Sequence, residues 1–376
     1  MKASFYRDTW AEIDLSAIDH NIRQMAEKLP DTSDIIAIVK ADGYGHGSVA
    51  VAKQALKAGA KALGVALLEE ALELRKAQID VPILVLGWVP PRGAPVAAEH
   101  DITLTFFQEE WLEEISSYTL PKPLKVHMKW DTGMGRIGLR TESELRDILY
   151  ALNKNPSIYL TGVFTHFATA DEKDFTYLRK QQDCFEKLLA VFREMWPHPV
   201  TIHTGNSAAS IRLPGEMYDA IRFGISMYGL YPSSVVKSEQ GISLKQAFSL
   251  HSRLVNVKQV AAGDTISYGR TYSAQEEEWI GTIPIGYGDG WIRKLQGMDV
   301  LADGKRMPIV GRICMDQTMI RLDQAYPIGT KVTLIGHQQG AFIDMDEVAA
   351  HLETINYEIP CMINERVPRI YSGSKR

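Results

Sequence analysis

Residues 34–67, DIIAIVKADGYGHGSVAVAKQALKAGAKALGVAL, begin and end with short apolar runs of strand length, DIIAIVK (34–40) and ALGVAL (62–67). The next segment, EEALELRKAQ (69–78), is helix-like, and a third apolar run, PILVLGW (82–88), follows it. Short β-branched runs that alternate with amphipathic segments are typical of βα units in a parallel sheet. This stretch therefore predicts the start of a parallel α/β fold.

The same alternation continues to about residue 227. Five further strands are predicted at DITLTFF (101–107), LKVHMKW (124–130), YLTGVFTHF (159–167), VTIHTG (200–205) and AIRFGI (220–225), with helix-like segments such as SELRDILYALNK (143–154) and YLRKQQDCFEKLLAVFREMW (177–196) between them. Ser16 is predicted to cap a helix that precedes the first strand. Eight strands with covering helices predict a TIM-type (β/α)8 barrel, a fold of roughly 250 residues.

Beyond Pro232 the pattern changes to strand-like runs separated by Gly and Asp turns. We therefore predict a barrel over residues 12–240 and a C-terminal, mostly antiparallel β domain over 241–376, with residues 1–11 as candidates for pairing with it. Asp303-Gly304 lies between two apolar runs, and Gly readily adopts the positive φ of tight hairpin turns. These two residues therefore predict a hairpin.

Composition excludes several classes of function. The 376 residues carry 41 Lys and Arg against 46 Asp and Glu, a net charge of −5, which argues against nucleic-acid binding. Three cysteines, Cys184, Cys314 and Cys361, form no C-x-x-C pair, which argues against a disulfide framework or a cysteine zinc site. We expect no metal ion.

The expected location is the cytoplasm. In the N-terminal residues 1–16, MKASFYRDTWAEIDLS, the apolar positions are interrupted by Arg7, Asp8, Glu12 and Asp14, unlike those of a signal peptide. No apolar run approaches the roughly 20 residues that span a bilayer, so no membrane partner is expected.

Lys40 closes an apolar strand, where a buried ammonium is costly unless it is paired or chemically employed. The alternative is a lysine that extends its charge to solvent from a strand end. The segment that follows, ADGYGHG (41–47), places three glycines in five residues and allows the backbone to fold closely against a ligand. This combination favours a chemical role for Lys40.

The segment IVKADGYGHG (38–47) resembles the pyridoxal 5′-phosphate attachment signature of alanine racemases. Other segments resemble that family in the same order: WDTGMGRIG (130–138), THFATAD (165–171), HTGNS (203–207), RFGISMYG (222–229), ISYGRTY (266–272), IPIGYGDG (283–290), GRICMDQ (311–317) and INYEIP (355–360). The resemblance implies a barrel with a C-terminal β domain, interconversion of L- and D-alanine, and supply of D-alanine for peptidoglycan precursors.

Racemisation with this cofactor needs an electron sink and a proton donor or acceptor on each face of the substrate carbanion. The resemblance assigns these two bases to Lys40, which also attaches the cofactor, and Tyr268. It places Arg222 against the pyridine nitrogen, His166 in support of that arginine and His203 beneath the ring. Without the resemblance, Arg222 would be interpreted as a barrel-rim ion pair, Tyr268 as a packed strand residue and His166 as a core histidine.

The resemblance also implies binding residues. Those for the phosphate are Tyr44, Ser207, Gly224, Ile225 and Tyr357. Arg136 is implied to contact the cofactor's phenolic oxygen and the substrate carboxylate, which the loop of Met315 and Asp316 also meets. Lys129, beside Arg136, is a site of carbamylation in many family members. An entrance corridor is implied at Asp171, Tyr287, Arg293, Arg312 and Ile355.

Two other functions remain as alternatives. A decarboxylase of the same architecture pairs its pyridine nitrogen with a carboxylate, and Arg222 argues against that. A pyridoxal-phosphate carrier resembles the barrel alone, and the β domain argues against that. Serine differs from alanine by one hydroxyl, which a pocket rejects only weakly, so the substrate range stays open. We expect a homodimer in which Lys40 of one chain meets Tyr268 of the other.

Overall fold

The computed structural model describes residues 6–373, and these form two compact units. The first contains residues 17–43 and 48–245; the second contains the described residues of 1–16 and 246–376, together with 44–47. Residues 1–5 and 374–376, which belong to the predicted β-domain segments, lie outside the described residues.

The division differs from the predicted boundaries by a few residues at each end. Residues 12–16 join the second unit, because β1 (Thr9–Asp14) is a strand of its main sheet and residues 15 and 16 directly follow it. Residues 241–245 join the first unit, where the side chain of Asn21 hydrogen-bonds the backbone of Lys245 at both its nitrogen and its oxygen, at 2.8 Å each.

Helix α1 (Leu15–Ala26) follows β1, and its start corrects the predicted role of Ser16. Ser16 lies inside the helix. The carboxylate of Asp14 instead accepts hydrogen bonds from the Ser16 backbone nitrogen at 2.8 Å and from its hydroxyl at 2.6 Å. An Asp just before the first helical residue satisfies an amide that has no partner within the helix, which is the capping role expected of Ser16.

The first unit is a closed barrel of eight parallel strands, which confirms the predicted fold class. Its strands are β2 (Asp34–Ile38), β3 (Ala62–Val65), β4 (Ile83–Trp88), β5 (Ile102–Phe106), β6 (Leu124–Lys129), β7 (Ile158–Phe164), β8 (Thr201–His203) and β9 (Ala220–Phe223). Its further helical segments are α2 (Lys40–Gly45), α3 (Ser48–Ala58), α4 (Leu68–Lys76), α5 (Ala94–Glu99), α6 (Glu109–Ile115), α7 (Glu142–Asn153), α8 (Thr176–Met195), α9 (Ser207–Arg212) and α10 (Ser234–Ser238).

Two of these helices illustrate why the sequence folds in this way. Thr141 and Glu144 form a reciprocal capping box at the start of α7, with both hydrogen bonds at 3.2 Å. In α8, the buried residues recur at helical spacing: Leu178, Gln181, Phe185, Leu188, Leu189 and Phe192. Gln181 is the polar exception in this apolar stripe.

The second unit is built from β1 and eleven further strands. These are β10 (Phe248–Arg253), β11 (Asn256–Val260), β12 (Thr265–Ile266), β13 (Tyr272–Ser273), β14 (Glu278–Ile283), β15 (Asp299–Ala302), β16 (Lys305–Pro308), β17 (Thr318–Leu322), β18 (Lys331–Gln338), β19 (Ala341–Ile343) and β20 (Arg369–Ser372), with helices α11 (Met345–Leu352) and α12 (Glu358–Met362). The main sheet has the order β16-β15-β18-β10-β1-β20. All its pairings are antiparallel except that of β1 with β20, so the predicted mostly antiparallel domain is confirmed.

The predicted hairpin at Asp303-Gly304 is also confirmed, because these residues join β15 to β16 with φ values of 51° and 75°. A smaller sheet has the order β11-β14-β17 and contributes residues to an apolar cluster. The members of this cluster are Val260, Ile266, Ala274, Ile280, Val310 and Met319. Cys314 packs against this cluster and anchors the loop that follows β16. Within residues 6–373, no helix combines the length and apolarity needed to cross a membrane.

Candidate active site

Lys40 opens a left-handed helical turn at the carboxyl end of β2. Ala41, Asp42 and Tyr44 have φ values of 52°, 50° and 50°, and Gly43 and Gly45 continue the turn at 60° and 76°. Left-handed backbone costs an L-residue roughly 1–2 kcal/mol, so three such non-glycine residues in one turn need strong local support. The half-buried Lys40 is thus held at the head of a strained segment.

Glu70, in the first turn of α4, supplies much of that support. Its Oε1 accepts a hydrogen bond from the Ala41 nitrogen at 2.6 Å. Its Oε2 accepts from the nitrogens of Ala66 and Leu67 at 2.7 and 3.1 Å. One carboxylate therefore ties the residue after Lys40 to the loop after β3.

Arg222, on β9, is 4% exposed and forms the centre of the barrel mouth. Its Nη1 donates to Nδ1 and to the carbonyl oxygen of His203, at 2.8 and 2.9 Å. Its Nη2 donates to the carbonyl oxygens of Thr165 and Thr204, at 2.7 and 2.9 Å, and lies 3.3 Å from His166 Nδ1. Burial, and then the charge of Arg136, lower its pKa to about 9, which leaves it a cation at neutral pH.

These partners distinguish Arg222 from a structural ion pair. Within residues 6–373 the guanidinium contacts no carboxylate, and its Nε–H has no hydrogen-bond partner. An arginine presents five N–H donors and no acceptor. Four are directed at protein acceptors, so the fifth is available to a ligand atom that can accept, such as an unprotonated ring nitrogen.

His203 is buried beside Arg222. Its imidazole is entirely buried, stacks on Phe164 at 4.7 Å between ring centres, and lies with Nε2 at 2.9 Å from Nδ1 of His127. Its two ring nitrogens thus face Arg222 and His127, and its expected place beneath the cofactor ring stays a prediction.

His166 lies beside Arg222 and is partly exposed. Its backbone is fixed by Gln181, whose side chain donates to the His166 carbonyl oxygen at 3.1 Å and accepts from the Ala168 nitrogen at 2.8 Å. Burial, followed by Arg222, Arg136, Lys129 and Lys40, holds the pKa of His166 well below its usual value. Four cations thus act on one imidazole, so the barrel mouth favours an anionic ligand.

Lys129 closes β6 and is 2% exposed, with its Nζ 3.4 Å from the Trp130 carbonyl oxygen. Burial, with further contributions from Arg222 and Arg136, lowers its pKa to about 8, although Asp131 partly opposes this shift. Arg136 itself is exposed in the loop after β6. A lysine with a lowered pKa has a larger share of neutral amine near neutral pH, the form that reacts with carbon dioxide.

Ser207, Gly224 and Ile225 come together after β8 and β9. Asn206 caps α9 by accepting from the Ala209 nitrogen at 3.0 Å, and Ser207 is the first residue of that helix. The Ser207 hydroxyl accepts from the Gly224 nitrogen at 3.0 Å, and Ile225 begins a 3₁₀ turn. The two loops thus present a hydroxyl and helix-start amides together, a common phosphate-binding arrangement.

In the second unit, Tyr44 and Tyr357 lie together, with ring centres 6.4 Å apart. Burial, followed by the neighbouring Tyr357 and Cys361, raises the pKa of Tyr44. Tyr44 therefore stays protonated at neutral pH and can act as a hydrogen-bond donor. This suits the predicted phosphate contact better than a role as a base.

Tyr268 lies on an exposed turn of the second unit and is 71% exposed. The turn between β12 and β13 has positive φ at Ser267, Gly269 and Arg270. A Cβ atom at Gly269 would lie 2.8 Å from the Arg312 side chain, and the Ser267 hydroxyl donates to the Arg312 carbonyl oxygen. The turn therefore rests on the loop that contains Met315 and Asp316.

That loop is fixed by charge and by backbone contacts. Arg366 donates to Asp316 at 2.6 Å and also pairs with the fully buried Asp289 at 3.3 Å. The carbonyl oxygen of Met315 accepts from the Gly288 nitrogen at 2.8 Å. Met315 is 53% exposed. The predicted substrate-carboxylate loop is therefore rigid but accessible.

The predicted corridor residues divide between the units. Tyr287, Arg293, Arg312 and Ile355 are exposed on the second unit, and Asp171 is half-buried in the first, where its carbonyl oxygen accepts from Ser233 at 2.6 Å. The other predicted residues divide likewise: Lys40, Lys129, Arg136, His166, His203, Ser207, Arg222, Gly224 and Ile225 lie in the first unit, and Tyr44, Tyr268, Met315, Asp316 and Tyr357 in the second.

Sequence reasoning missed four contributors to the arginine site. Thr165 and Thr204 act through their carbonyl oxygens, which every residue has, so no sequence signal exists. Gln181 could be found as the polar member of an apolar helix stripe. His127 could be found as well, because it lies two residues before Lys129 on one strand and therefore on the same face.

Comparison with known proteins agrees with this geometry. The model of the alanine racemase N-terminal domain matches residues 13–232, and that of the C-terminal domain matches residues 247–371. The chain is 55% identical to an alanine racemase of Anoxybacillus flavithermus, over 100% of this chain and 97% of the relative. It is 53% identical to an alanine racemase of Geobacillus stearothermophilus, over 99% and 95% of the two chains.

A solved structure agrees as well. The crystal structure of alanine racemase from Bacillus anthracis with bound L-Ala-P superposes with a TM-score of 0.96 and 50% identity, covering 99% of this chain and 97% of that one. Models and relatives thus cover both units along nearly their whole length. The chain belongs to the alanine racemase family, the pyridoxal 5′-phosphate-dependent isomerases that interconvert L- and D-alanine.

Proposed function

We propose that this chain racemises alanine by two-base proton transfer, with pyridoxal 5′-phosphate attached to Lys40. The observation that carries the proposal is the state of Arg222. It is a buried cation held by carbonyl oxygens and histidines, with one N–H left for a ligand. A decarboxylase of this architecture would need a carboxylate at that position.

Lys40 and Tyr268 are the two proton-transfer groups. When bound, the cofactor supplies an electron sink that acidifies the substrate Cα–H. Lys40 Nζ would accept or return the proton on one face of the substrate Cα. The Tyr268 hydroxyl serves the other face. Both groups are needed because the two enantiomers carry the Cα hydrogen on opposite sides.

Arg222 sets the outcome of the reaction. A guanidinium does not readily give up its proton, so the Arg222 Nε–H would donate a hydrogen bond to the cofactor's ring nitrogen and leave that nitrogen unprotonated. Arg222 would thereby favour racemisation over transamination. His203 and His166 hold the guanidinium in this position.

The binding residues form groups according to the part of the cofactor or substrate that each one contacts. Ser207, Gly224 and Ile225, with Tyr44 and Tyr357, hold the phosphate. Arg136 contacts the phenolic oxygen and the substrate carboxylate. A carbamylated Lys129 would convert a repelling cation into an anion that pairs with Arg136, and the lowered pKa of Lys129 supports this modification. The loop of Met315 and Asp316 completes the carboxylate site.

The active enzyme is a homodimer in which Tyr268 of the partner subunit completes each site. The support is that Tyr268 is 71% exposed on its own unit, while the cofactor lysine belongs to the barrel. The corridor of Asp171, Tyr287, Arg293, Arg312 and Ile355 then leads from solvent to the shared site. The enzyme acts in the cytoplasm and supplies D-alanine for peptidoglycan precursors.

The direct test is to incubate purified holoenzyme with L-alanine in D2O. We expect D-alanine to form and deuterium to appear at Cα in both enantiomers, with no loss of carboxylate. Release of carbon dioxide and formation of ethylamine would support the decarboxylase instead. L-Serine, tested in parallel, measures how far the pocket rejects one added hydroxyl.

A further inference from the structure

A pair of histidines lies behind the arginine site. His127 on β6 and His203 on β8 approach with 2.9 Å between Nδ1 of the first and Nε2 of the second, and their ring centres are 5.1 Å apart. His203 contacts Arg222 directly, whereas His127 contacts neither Arg222 nor the positions assigned to cofactor and substrate. The proposed function gives His127 no role.

Hydrogen-bond accounting fixes the protonation of both rings. Arg222 Nη1 can only donate, so His203 Nδ1 must accept and carry no proton. The neutral His203 then carries its proton on Nε2 and donates it to His127 Nδ1. His127 in turn carries its own proton on Nε2. The chain runs in one direction, from the guanidinium through His203 to His127.

The electrostatic environment keeps both rings neutral. Burial, and then Arg222, lower the pKa of His127 to about 3 and hold that of His203 well below its usual value. A protonated His203 would direct an N–H at the guanidinium, which cannot accept it. A neutral His203 whose Nε2–H lost its acceptor would instead leave a buried donor unpaired, which is costly.

The neighbouring strand reserves space for the His127 ring. Gly162 on β7 lies opposite His127 in the strand register, next to an irregularity between Val126 and His127. A Cβ atom at Gly162 would lie 2.5–2.6 Å from three atoms of the imidazole, closer than atoms pack. Gly162 has no positive φ to explain a glycine there. The absence of a side chain at residue 162 is therefore what allows the imidazole its position.

We propose that His127 is a positioning residue: by accepting the Nε2–H of His203, it holds His203 in the orientation in which Nδ1 accepts from Arg222. This rests on the proposed function to the extent that Arg222 faces the cofactor ring nitrogen. His127 thus helps to keep the guanidinium in place and the reaction on racemisation rather than transamination.

The test compares two variants of nearly equal shape. His127→Asn retains an acceptor near the position of Nδ1, whereas His127→Leu removes it. The first readout is ¹⁵N NMR of holoenzyme labelled in the histidine rings, with the His203 signals assigned by a His203→Gln variant. The second is the number of transamination events per racemisation turnover, followed from cofactor absorbance, with Arg222→Glu as reference.

We expect wild type and His127→Asn to show His203 as a single Nε2–H tautomer. His127→Leu should broaden or mix these signals and raise the transamination fraction about tenfold, the factor that corresponds to about 1.4 kcal/mol. If His127→Leu retains the single tautomer and the wild-type fraction, His127 only fills space and the proposal is wrong. If His127→Leu fails to fold, Gly162→Ala takes its place, because the added methyl group displaces the His127 ring. The same changes in the His203 signals and in the transamination fraction are then expected, and their absence again shows that the proposal is wrong.

The Arg222→Glu variant distinguishes failure of the His127 proposal from failure of the proposed function. If Arg222→Glu changes the transamination fraction and His127→Leu does not, the role of His127 fails and the proposed function stands. If Arg222→Glu leaves the fraction unchanged, Arg222 does not face the ring nitrogen, and the role of His127 falls with it.

Discussion

Nη1 of Arg222 lies 2.8 Å from Nδ1 of His203, and the same nitrogen also donates to the His203 carbonyl oxygen. Nη1, which can only donate hydrogen bonds, is therefore bound by two acceptors of His203. With two further carbonyl oxygens on Nη2, the guanidinium is fixed in its plane and in its rotation. In the proposed function the chemistry depends on this fixed position, because it determines which N–H remains for a ligand.

Replacing Arg222 by Glu should change the course of the reaction. A carboxylic acid can protonate the ring nitrogen, so we expect racemisation to fall on the order of a hundredfold, as for loss of a pre-organised electrostatic contact, while transamination rises. Formation of pyridoxamine phosphate during turnover measures this. Arg146→Glu, on the exposed face of α7, is the control and should behave as wild type. An unchanged absorbance spectrum and an unchanged product ratio in Arg222→Glu would refute the assignment.

The lowered pKa of Lys129 predicts a pH dependence of stability. Its pKa is about 8 in the folded protein, against 10.5 for an ordinary lysine in the unfolded chain. Between these values the unfolded state binds more protons, so this residue makes the free energy of unfolding rise with pH from about 8 to 10.5. In bicarbonate-free buffer, denaturant titrations should show this rise in wild type and a smaller one in Lys129→Met. Equal slopes in both proteins would contradict the environment described for Lys129.

Glu70 should matter for both stability and turnover. Glu70→Ala leaves three amides without their carboxylate, including the Ala41 nitrogen in the strained turn after Lys40. Loss of hydrogen bonds to a charged group predicts a fall of about 1–3 kcal/mol in the free energy of unfolding, with a lower kcat. The neighbouring exposed Glu69→Gln serves as control. Wild-type stability and kcat in Glu70→Ala would show that the turn after Lys40 does not depend on Glu70.

Much of the fold can be predicted from the sequence because each barrel strand is a short apolar run bounded by polar or glycine-containing loops. Asp303-Gly304 is predictable for a similar local reason, since its turn requires positive φ. The cap of α1 lies two residues before the predicted Ser16, because Asp14 and Ser16 are both good capping residues and only the backbone path of β1 decides between them.

The site is predictable where side chains act and not where the backbone does. Lys40 stands out in the sequence and Arg222 is found through the family resemblance, but the carbonyl oxygens of Thr165 and Thr204 that orient Arg222 have no sequence signature. The left-handed turn after Lys40 likewise has no clear sequence signature. Its glycines suggest flexibility, yet Ala41 and Asp42 also adopt positive φ, which their residue types do not indicate.

The shared active site can be tested by complementation. Lys40→Ala and Tyr268→Ala chains are each expected to be inactive, but a mixed dimer would contain one site with both lesions and one with neither. Dissociating and reassociating an equimolar mixture should restore activity to about one quarter of wild type per total site, because half the dimers are mixed and half their sites are intact. Mixed dimers that form but regain no activity would place both bases in one chain.

The most direct test of the account is where the cofactor is attached. Purified holoenzyme is reduced with borohydride, digested and mapped by mass spectrometry, with Lys40→Ala treated in parallel. We predict a pyridoxyl group on Lys40 in the wild type, and in Lys40→Ala neither the bound-cofactor absorbance nor racemisation in either direction. A pyridoxyl group on another lysine, or normal turnover by Lys40→Ala, would contradict the central claim that Lys40 carries the cofactor and serves as one of the two bases.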